Sequence, residues 1–446
     1  MHELPPCDRR SWRRQAEIHP NHCAHGTNLF LPWHRHYITQ FEKICGELIG
    51  DRSFALPYWD WTHQGGRIPD AFYDFDELDV AFWNDDGVGN FPMNWGRVDS
   101  RGTRAMVKGQ RLQDDPVRGG NFTATRISRI KRASRFDVFM SQLEGTPHNS
   151  GHVVVGGSDG HMSSGLSPLD PLFWLHHCNV DRLWAEWQVA GNRTPRFSTN
   201  FNGQFCDTNG NPLALVADAA LNFEQLGFTY DTMAAFGGPA ALVALARVPS
   251  ERAFAAADTG DAEERRLGAI DVTARLPVNS PTSFSIPVKQ LAETLAETQD
   301  VASADLPSVA AMRAFRGAPE EALAGFGRPR PVRRRVYAVI RNAQADSTAS
   351  PAVNVFLNCP YLTAETPYTD SHFAGSFSFF GSHSGDHHGG TQDHRANNDM
   401  WIDITDTIER LGAADGADLR VQLVPVVSGD GAAAAVRAES IRIVSA

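Results

Sequence analysis

In the stretch HRHYITQFEKICGELIG, residues 34–50, His34, Ile38, Phe41, Cys45 and Leu48 recur at i, i+4, i+7, i+11 and i+14, the spacing of one face of an α-helix. A histidine therefore shares the face that points at the core, directly after Pro32 and Trp33. Upstream, Trp12, Ala16 and His19 in SWRRQAEIH keep the same spacing. A third helix is predicted to begin in TPHNSGH, with Thr146 as N-cap and Pro147 at the first helical position, which sets His148 and His152 one turn apart on one face. The fourth pattern is DPLFWLHHCNVDRLWAEWQVAG. Asp170 caps it, Pro171 starts it and Gly191 stops it, with Phe173, His177, Val180, Trp184 and Trp187 as the buried stripe. Four helices that each aim a histidine inward predict a mainly α core built as a four-helix bundle around a polar centre.

Past residue 330 the period changes from helical to short runs such as RRVYAVIRN, AVNVFLN, FAGSFSFF, DLRVQLVPVV and ESIRIVSA, separated by turn residues, which predicts a β-sandwich. The intervening segment is alanine-rich and punctuated by proline. The expected organisation is therefore a helical domain over 1–235, a linker region over 236–330 and a β-sandwich over 331–446. Residue distribution agrees with this division: 12 of the 17 histidines precede residue 178, and nine of the ten tryptophans precede residue 188. At 446 residues with 42% hydrophobic content, the chain is long enough for two cores. A net charge of −11 argues against a nucleic-acid surface, and no apolar run reaches the length of a membrane span. The sequence around the first residues, MHELPPCDRR, has no secretory pattern. The expected location is cytoplasmic, or secreted if an upstream signal has been removed, with small molecules as partners. Six cysteines in so long a chain do not make a disulfide framework.

A single inward histidine is usually a hydrogen-bonded core residue. Several on facing helices change the balance, because each unpaired buried nitrogen carries a desolvation cost that a shared metal removes. The candidates fall into two groups: His19, His25 and His34; and His148, His152 and His177. Three plus three suggests two metal ions. No inward Glu-x-x-His pair accompanies them, which disfavours a di-iron carboxylate bundle. All-imidazole ligation suits copper or zinc, copper binding such sites more tightly.

HGTNLFLPWHRHYITQFE and DPLFWLHHCNVD resemble the two copper signatures of the tyrosinase, catechol oxidase and molluscan haemocyanin superfamily, the type-3 dicopper proteins. The resemblance runs over most of residues 1–235, including LPYWDW and LGFTYD, and departs at Ile38, where another aliphatic residue is more usual. It implies that His25, His34 and an upstream histidine hold one copper, with His19 preferred over His22. It also implies that His148, His152 and His177 hold the other, that His176 lies beside the ligands, and that dioxygen is the co-substrate. His36, His63 and His161 are expected to be ordinary polar residues. Cys23, two residues before His25, resembles the cysteine that forms a thioether with a ligating histidine in some members.

The same resemblance gives Glu144 and Asn149 the task of holding a water that deprotonates a phenol, and places Val153 and Ser164 at an open substrate entrance. The activity implied is oxidation of phenols and catechols to o-quinones. The alternatives are a catechol or o-aminophenol oxidase without monophenol hydroxylation, or a haemocyanin-like oxygen carrier. SHFAGSFSFFG resembles the end domain of plant polyphenol oxidases, which covers the copper entrance. One of Phe373, Phe377, Phe379 and Phe380 is then expected to occupy the phenol pocket, and His383, His387, His388 and His394 to lie in a glycine-rich loop.

Overall fold

The computed structural model describes residues 1–5, 7–75, 78, 104–158, 160–232, 264–272, 275–301, 330–345, 351–380, 398–413, 418–427 and 435–446. The loop with His383, His387, His388 and His394 lies outside these. The helical part contains α1 (Trp12–His22), α2 (Phe30–Ile49), α3 (Ala124–Lys131), α4 (Phe136–Leu143), α5 (Asn149–Gly156) and α6 (Leu172–Val189). Ser11 caps α1 by accepting the Arg14 N–H, and Gly50 ends α2 in the left-handed conformation at φ 71°. α6 begins one residue later than expected, at Leu172 with Pro171 in the N-cap position, and Asp170 Oδ1 accepts the Leu172 N–H at 2.9 Å.

Two helical expectations are corrected. Thr146 is not an N-cap, because α4 runs through a π-turn at Glu144–His148 directly into α5. The Thr146 hydroxyl donates back to the Gln142 carbonyl. Pro147, which cannot donate to the helical ladder, sits inside that wider turn, where the changed bonding accommodates it. Second, α2 has no solvated face over its first three turns: Arg35 and His36 are as buried as His34. Arg35 is compensated there by Asp181 at 2.5 Å, by the Ala220 carbonyl and by the face of Trp184 at 3.6 Å, the pairing a buried charge requires.

The main strands of the β part are β1 (Arg265–Asp271), β2 (Thr282–Pro287), β3 (Val336–Arg341), β4 (Ala352–Leu357), β5 (Phe373–Ser378), β6 (Met400–Asp403), β7 (Asp418–Val426) and β8 (Ser440–Ser445), and a helix α7 (Thr405–Leu411) follows β6. They form two four-stranded sheets, ordered β1-β8-β3-β6 and β2-β7-β4-β5, all neighbours antiparallel. The boundary expected at residue 331 therefore lies earlier, since β1 and β2 come from the segment expected to be a linker. Ile270 is opposite Ile441 and Ile286 is opposite Leu419. Both are edge strands of their sheets and turn few side chains inward, so their apolar signal is faint against the surrounding alanine and proline.

The run VYAVI in β3 is buried on both faces for a structural reason. Val336, Ala338 and Ile340 fill the sandwich, while Tyr337 and Val339 join Trp401 and Val444 in the core of the helical domain. A sheet covered on both sides loses the apolar-polar alternation of a solvated one. The two domains thus share a face, and that contact carries β5 toward the histidines.

Candidate metal centre and its cover

Six imidazoles from α1, the loop after it, α2, the π-turn, α5 and α6 meet in one buried space. In the second group the Nε2 atoms converge: His152 lies 3.2 Å from His148 and 3.3 Å from His177. With the Nδ1 atoms of His152 and His148 donating to the Met162 carbonyl and to Asn149 Oδ1, their Nε2 atoms face each other as lone pairs, an arrangement that a metal ion between them accounts for. In the first group the Nε2 atoms of His19 and His34 are buried without a hydrogen-bond partner. The ring centroids of His19 and His25 are 5.1 Å apart, and those of His25 and His34 are 5.3 Å apart. His34 and His177 stack at 4.3 Å and 6°, which brings the two groups face to face. Both donor sets fit a pair of copper ions.

The opposite ring nitrogens are held by partners that fix the tautomer. His19 Nδ1 donates to the Gly165 carbonyl, His34 Nδ1 to Phe30 and His152 Nδ1 to Met162, each at 2.8 Å. His148 Nδ1 faces Asn149 Oδ1 at 2.8 Å. Burial holds His34, His148, His152 and His177 well below their ordinary pKa and brings His19 to about 4. These five imidazoles are therefore neutral, the form that ligates.

His176 and His177 compete for one role. The donor atoms of His176, His148 and His152 all lie within 4.8 Å of one another, but His176 Nδ1 accepts the indole N–H of Trp61 at 3.1 Å and its ring stacks on His148. His177 makes the short Nε2 contact. Gly151 is required here, because a Cβ would come within 2.5 Å of the His176 ring. His36 donates to the Val216 carbonyl, away from the centre, and His63 is exposed.

Glu144 is buried in the π-turn, and its Oε1 accepts the Gly26 N–H, beside His25, at 2.7 Å. Burial raises its pKa to about 8, with the Gly26 hydrogen bond opposing. Asn149 is fully engaged: its Oδ1 orients His148, and its Nδ2 donates to the Ser378 carbonyl of the β domain at 2.8 Å. Cys23 Sγ lies 3.5 Å from His25 Nδ1, and burial pushes the thiol pKa up to about 12. Val153 is buried on α5. Ser164 is buried as well, its hydroxyl donating to the His161 carbonyl and accepting the Leu166 N–H, so it does not stand open at an entrance.

The space over the histidines is filled by Phe380, two residues past the end of β5. Its ring stacks on His152 at 3.8 Å and 8°, lies 5.4 Å from His25 and 5.9 Å from His148, and is 5% exposed. The other three phenylalanines stay with the sheets: Phe377 and Phe379 in the sandwich core, Phe373 against Phe356. A polar ladder holds the cover down. Asn121 Nδ2 donates to Ser150 Oγ, Ser150 meets Ser378, and Ser376 donates to Asn121 Oδ1. Asp406 on α7 pairs with Arg129 on α3 at 2.8 Å. The phenylalanine cluster suggested a cover, but single serines and main-chain carbonyls leave no sequence pattern that would have located the ladder.

The fold and the paired histidine groups define a buried binuclear copper centre of the type-3 kind. A family model described as the common central domain of tyrosinase matches residues 9–190, and one described as the chloroplastic polyphenol oxidase C-terminal domain matches residues 332–443. A tyrosinase of Streptomyces antibioticus is 37% identical over 190 residues, 39% of this chain and 67% of that one. Polyphenol oxidase D of Solanum lycopersicum, a chloroplastic protein, is 26% identical over 476 residues, 97% of this chain and 71% of that one. The structure of latent apple tyrosinase shares the fold with a TM-score of 0.59 at 20% identity, covering 100% of this chain and 92% of that one. The chain belongs to the tyrosinase and polyphenol oxidase family. It is a copper oxidoreductase acting on phenols with a dicopper centre and dioxygen. Among the described residues no helix is long and apolar enough to cross a membrane.

Proposed function

We propose that this protein converts both monophenols and catechols to o-quinones, with His19, His25 and His34 holding one copper and His148, His152 and His177 the other, and that the form described is closed by Phe380. The bound copper pair supplies the dioxygen-activating redox chemistry. The chain's own residues do the rest. A phenol ring takes the place of Phe380 against the face of His152, in a space lined by imidazoles that excludes water. The buried Glu144 carboxylate, with a pKa raised to about 8, takes the phenol proton directly or through a water, a group poised near working pH as a general base should be. When β5 leaves, the Asn149 N–H now given to Ser378 becomes free to hold that water. A catechol gives up two electrons and two protons, and half a dioxygen becomes one water. Where the first ring oxygen is the only one present, a whole dioxygen is used and one of its atoms enters the ring.

The observation that carries this reading is the buried Glu144, which opens the π-turn ending at His148 and reaches the Gly26 N–H next to His25, with no cation paired to it among the described residues. In the opened protein, Glu144→Gln should cut oxygen uptake with tyramine at least about tenfold more than uptake with 4-methylcatechol. Equal losses would leave Glu144 a structural role. A second reading, a catechol oxidase without hydroxylation, is favoured by the Gly26 hydrogen bond that already occupies Glu144 Oε1. An oxygen carrier would show no sustained uptake with either substrate. Cys23 is placed to bond the His25 ring, in which case their shared peptide is lighter by a pair of hydrogen atoms.

A further inference from the structure

The loop from β4 to β5 gathers a second set of metal-competent donors that the dicopper chemistry leaves unused. β4 and β5 are antiparallel neighbours, so the residues leaving one strand and entering the other lie side by side, and the Leu357 N–H donates to the His372 carbonyl at 2.9 Å. Two residues beyond Leu357, Cys359 is fixed by both ends of one amide on β7. Gln422 Oε1 accepts the Cys359 N–H at 2.6 Å, and Gln422 Nε2 donates to its carbonyl at 2.9 Å. On the returning side, Asp370 Oδ1 accepts the His372 N–H at 2.8 Å and faces His372 Nδ1 at 3.0 Å. The Cys359 thiol, an Asp370 oxygen and a His372 ring nitrogen all lie within 4.8 Å of one another. The Tyr361 hydroxyl closes the set, 3.0 Å from Asp370 Oδ2 and 3.2 Å from His372 Nδ1.

We propose that Cys359, Asp370, His372 and Tyr361 form a third metal site, for zinc or copper, on the β domain. Thiolate with imidazole selects a borderline or soft transition metal over magnesium or calcium; Cys359, His372 and Asp370 are donor types of tetrahedral zinc sites, and the Tyr361 hydroxyl lies beside the position left for a fourth ligand. The site has the build of a prepared one. Its cysteine rests on an apolar floor of Phe356, Val424 and Val426, while Asp370 and His372 are half-buried and Tyr361 opens to solvent. Burial pushes the Cys359 thiol up and the Asp370 charge adds to this, while the Tyr361 backbone N–H directed at the sulfur and the Arg420 guanidinium pull it down. A bound cation relieves the juxtaposition of thiol and carboxylate, and the thiol proton leaves to solvent on binding. Eight residues of largely extended chain separate His372 from Phe380, about 25 Å, so the third metal is far from the dicopper centre. Its role is to staple the loop that begins the strand carrying the cover.

The test uses the full chain, first loaded with copper and freed of excess. If the site takes copper, a third copper binds in this step with a thiolate-to-copper charge-transfer band; if it takes zinc, the chain then holds two coppers, and zinc(II), or cobalt(II) as its spectroscopic stand-in, binds as one further equivalent, cobalt with a near-ultraviolet thiolate-to-cobalt band. Cys359→Ser should abolish the band, and His372→Ala should weaken binding about 10- to 100-fold, both keeping two coppers. His177→Ala should lose copper and keep the cobalt band. The metal recovered with the untreated protein distinguishes zinc from copper. A chain that binds no third equivalent, or a band that survives Cys359→Ser and His372→Ala and disappears with His177→Ala, overturns the proposal.

Discussion

Replacing Phe380 with alanine should open the copper centre without cutting the chain. The ring is 5% exposed and stacks on His152 at 3.8 Å. Removing it withdraws roughly 2–3 kcal/mol of apolar burial and about 0.5–1.5 kcal/mol of ring stacking from the closed state. A total of about 2.5–4.5 kcal/mol corresponds to roughly 60- to 1600-fold in the closed-to-open ratio. The ladder through Asn121, Ser150 and Ser378 and the Asp406–Arg129 pair remain, so the β domain stays docked and leaves a ring-sized space on His152 that a phenol can enter. Oxygen uptake with 4-methylcatechol by the uncut Phe380→Ala protein should therefore exceed that of the uncut wild type by at least about tenfold, with copper content unchanged. Phe380→Leu should fall between them. If the alanine protein is as slow as the wild type while protein cleaved ahead of β1, between residues 240 and 264, is fast, the block is the docked domain as a whole and the ring is not its cause. If the uncut wild type already matches the cleaved protein, Phe380 covers nothing that matters.

Three further outcomes follow from the same geometry. His177→Ala should lose one copper and all turnover, whereas His176→Asn should keep both coppers by metal analysis; the reverse result would exchange their roles. In the metal-free protein the buried imidazoles are depressed, His19 to about 4, so their contribution is complete above the unfolded value near 6.5 and is lost as pH falls through it, at up to about 1.4 kcal/mol per histidine per pH unit. The urea midpoint should drop between pH 7.5 and 5, and an unchanged midpoint would contradict the burial. Arg126 is buried under β5 with Nε and Nη1 unpartnered among the described residues and a 3.5 Å contact from Nη2 to Thr146. Burial lowers its pKa to about 10, with Arg129 adding to this and the Asp403 charge opposing. Docking the cover thus leaves a guanidinium only partly compensated, at a cost of about a few kcal/mol. Arg126→Leu should tighten closure, slowing activation by protease at least about fivefold, while the opened protein turns over as before.

The sequence alone singles out His19, His25, His34, His148, His152 and His177 as candidates, by helical spacing or by the signature resemblance, and it separates a helical part from a β part. Helical spacing, caps and stops are local properties, and His34, His148, His152 and His177 inherit their direction from them. The aromatic and histidine bias before residue 188 is likewise legible without a fold. What tertiary structure decided is everything that depends on two distant segments meeting. The carbonyls of Gly165 and Met162 that orient His19 and His152 belong to loops with no distinguishing composition. The π-turn at Glu144–His148 reflects the packing of α4 and α5 together, and no cap residue announces it. Strands β1 and β2 were hidden because edge strands bury few side chains, and β3 read as a plain apolar run because two domains cover it. Among four phenylalanines in one stretch, only the register of β5 against β4 and its contact with Asn149 determine that Phe380 reaches the buried histidines. Periodicity fixes which way a side chain faces within its own element; which element it then meets is a long-range property, and the chemistry of this centre lies at those meetings.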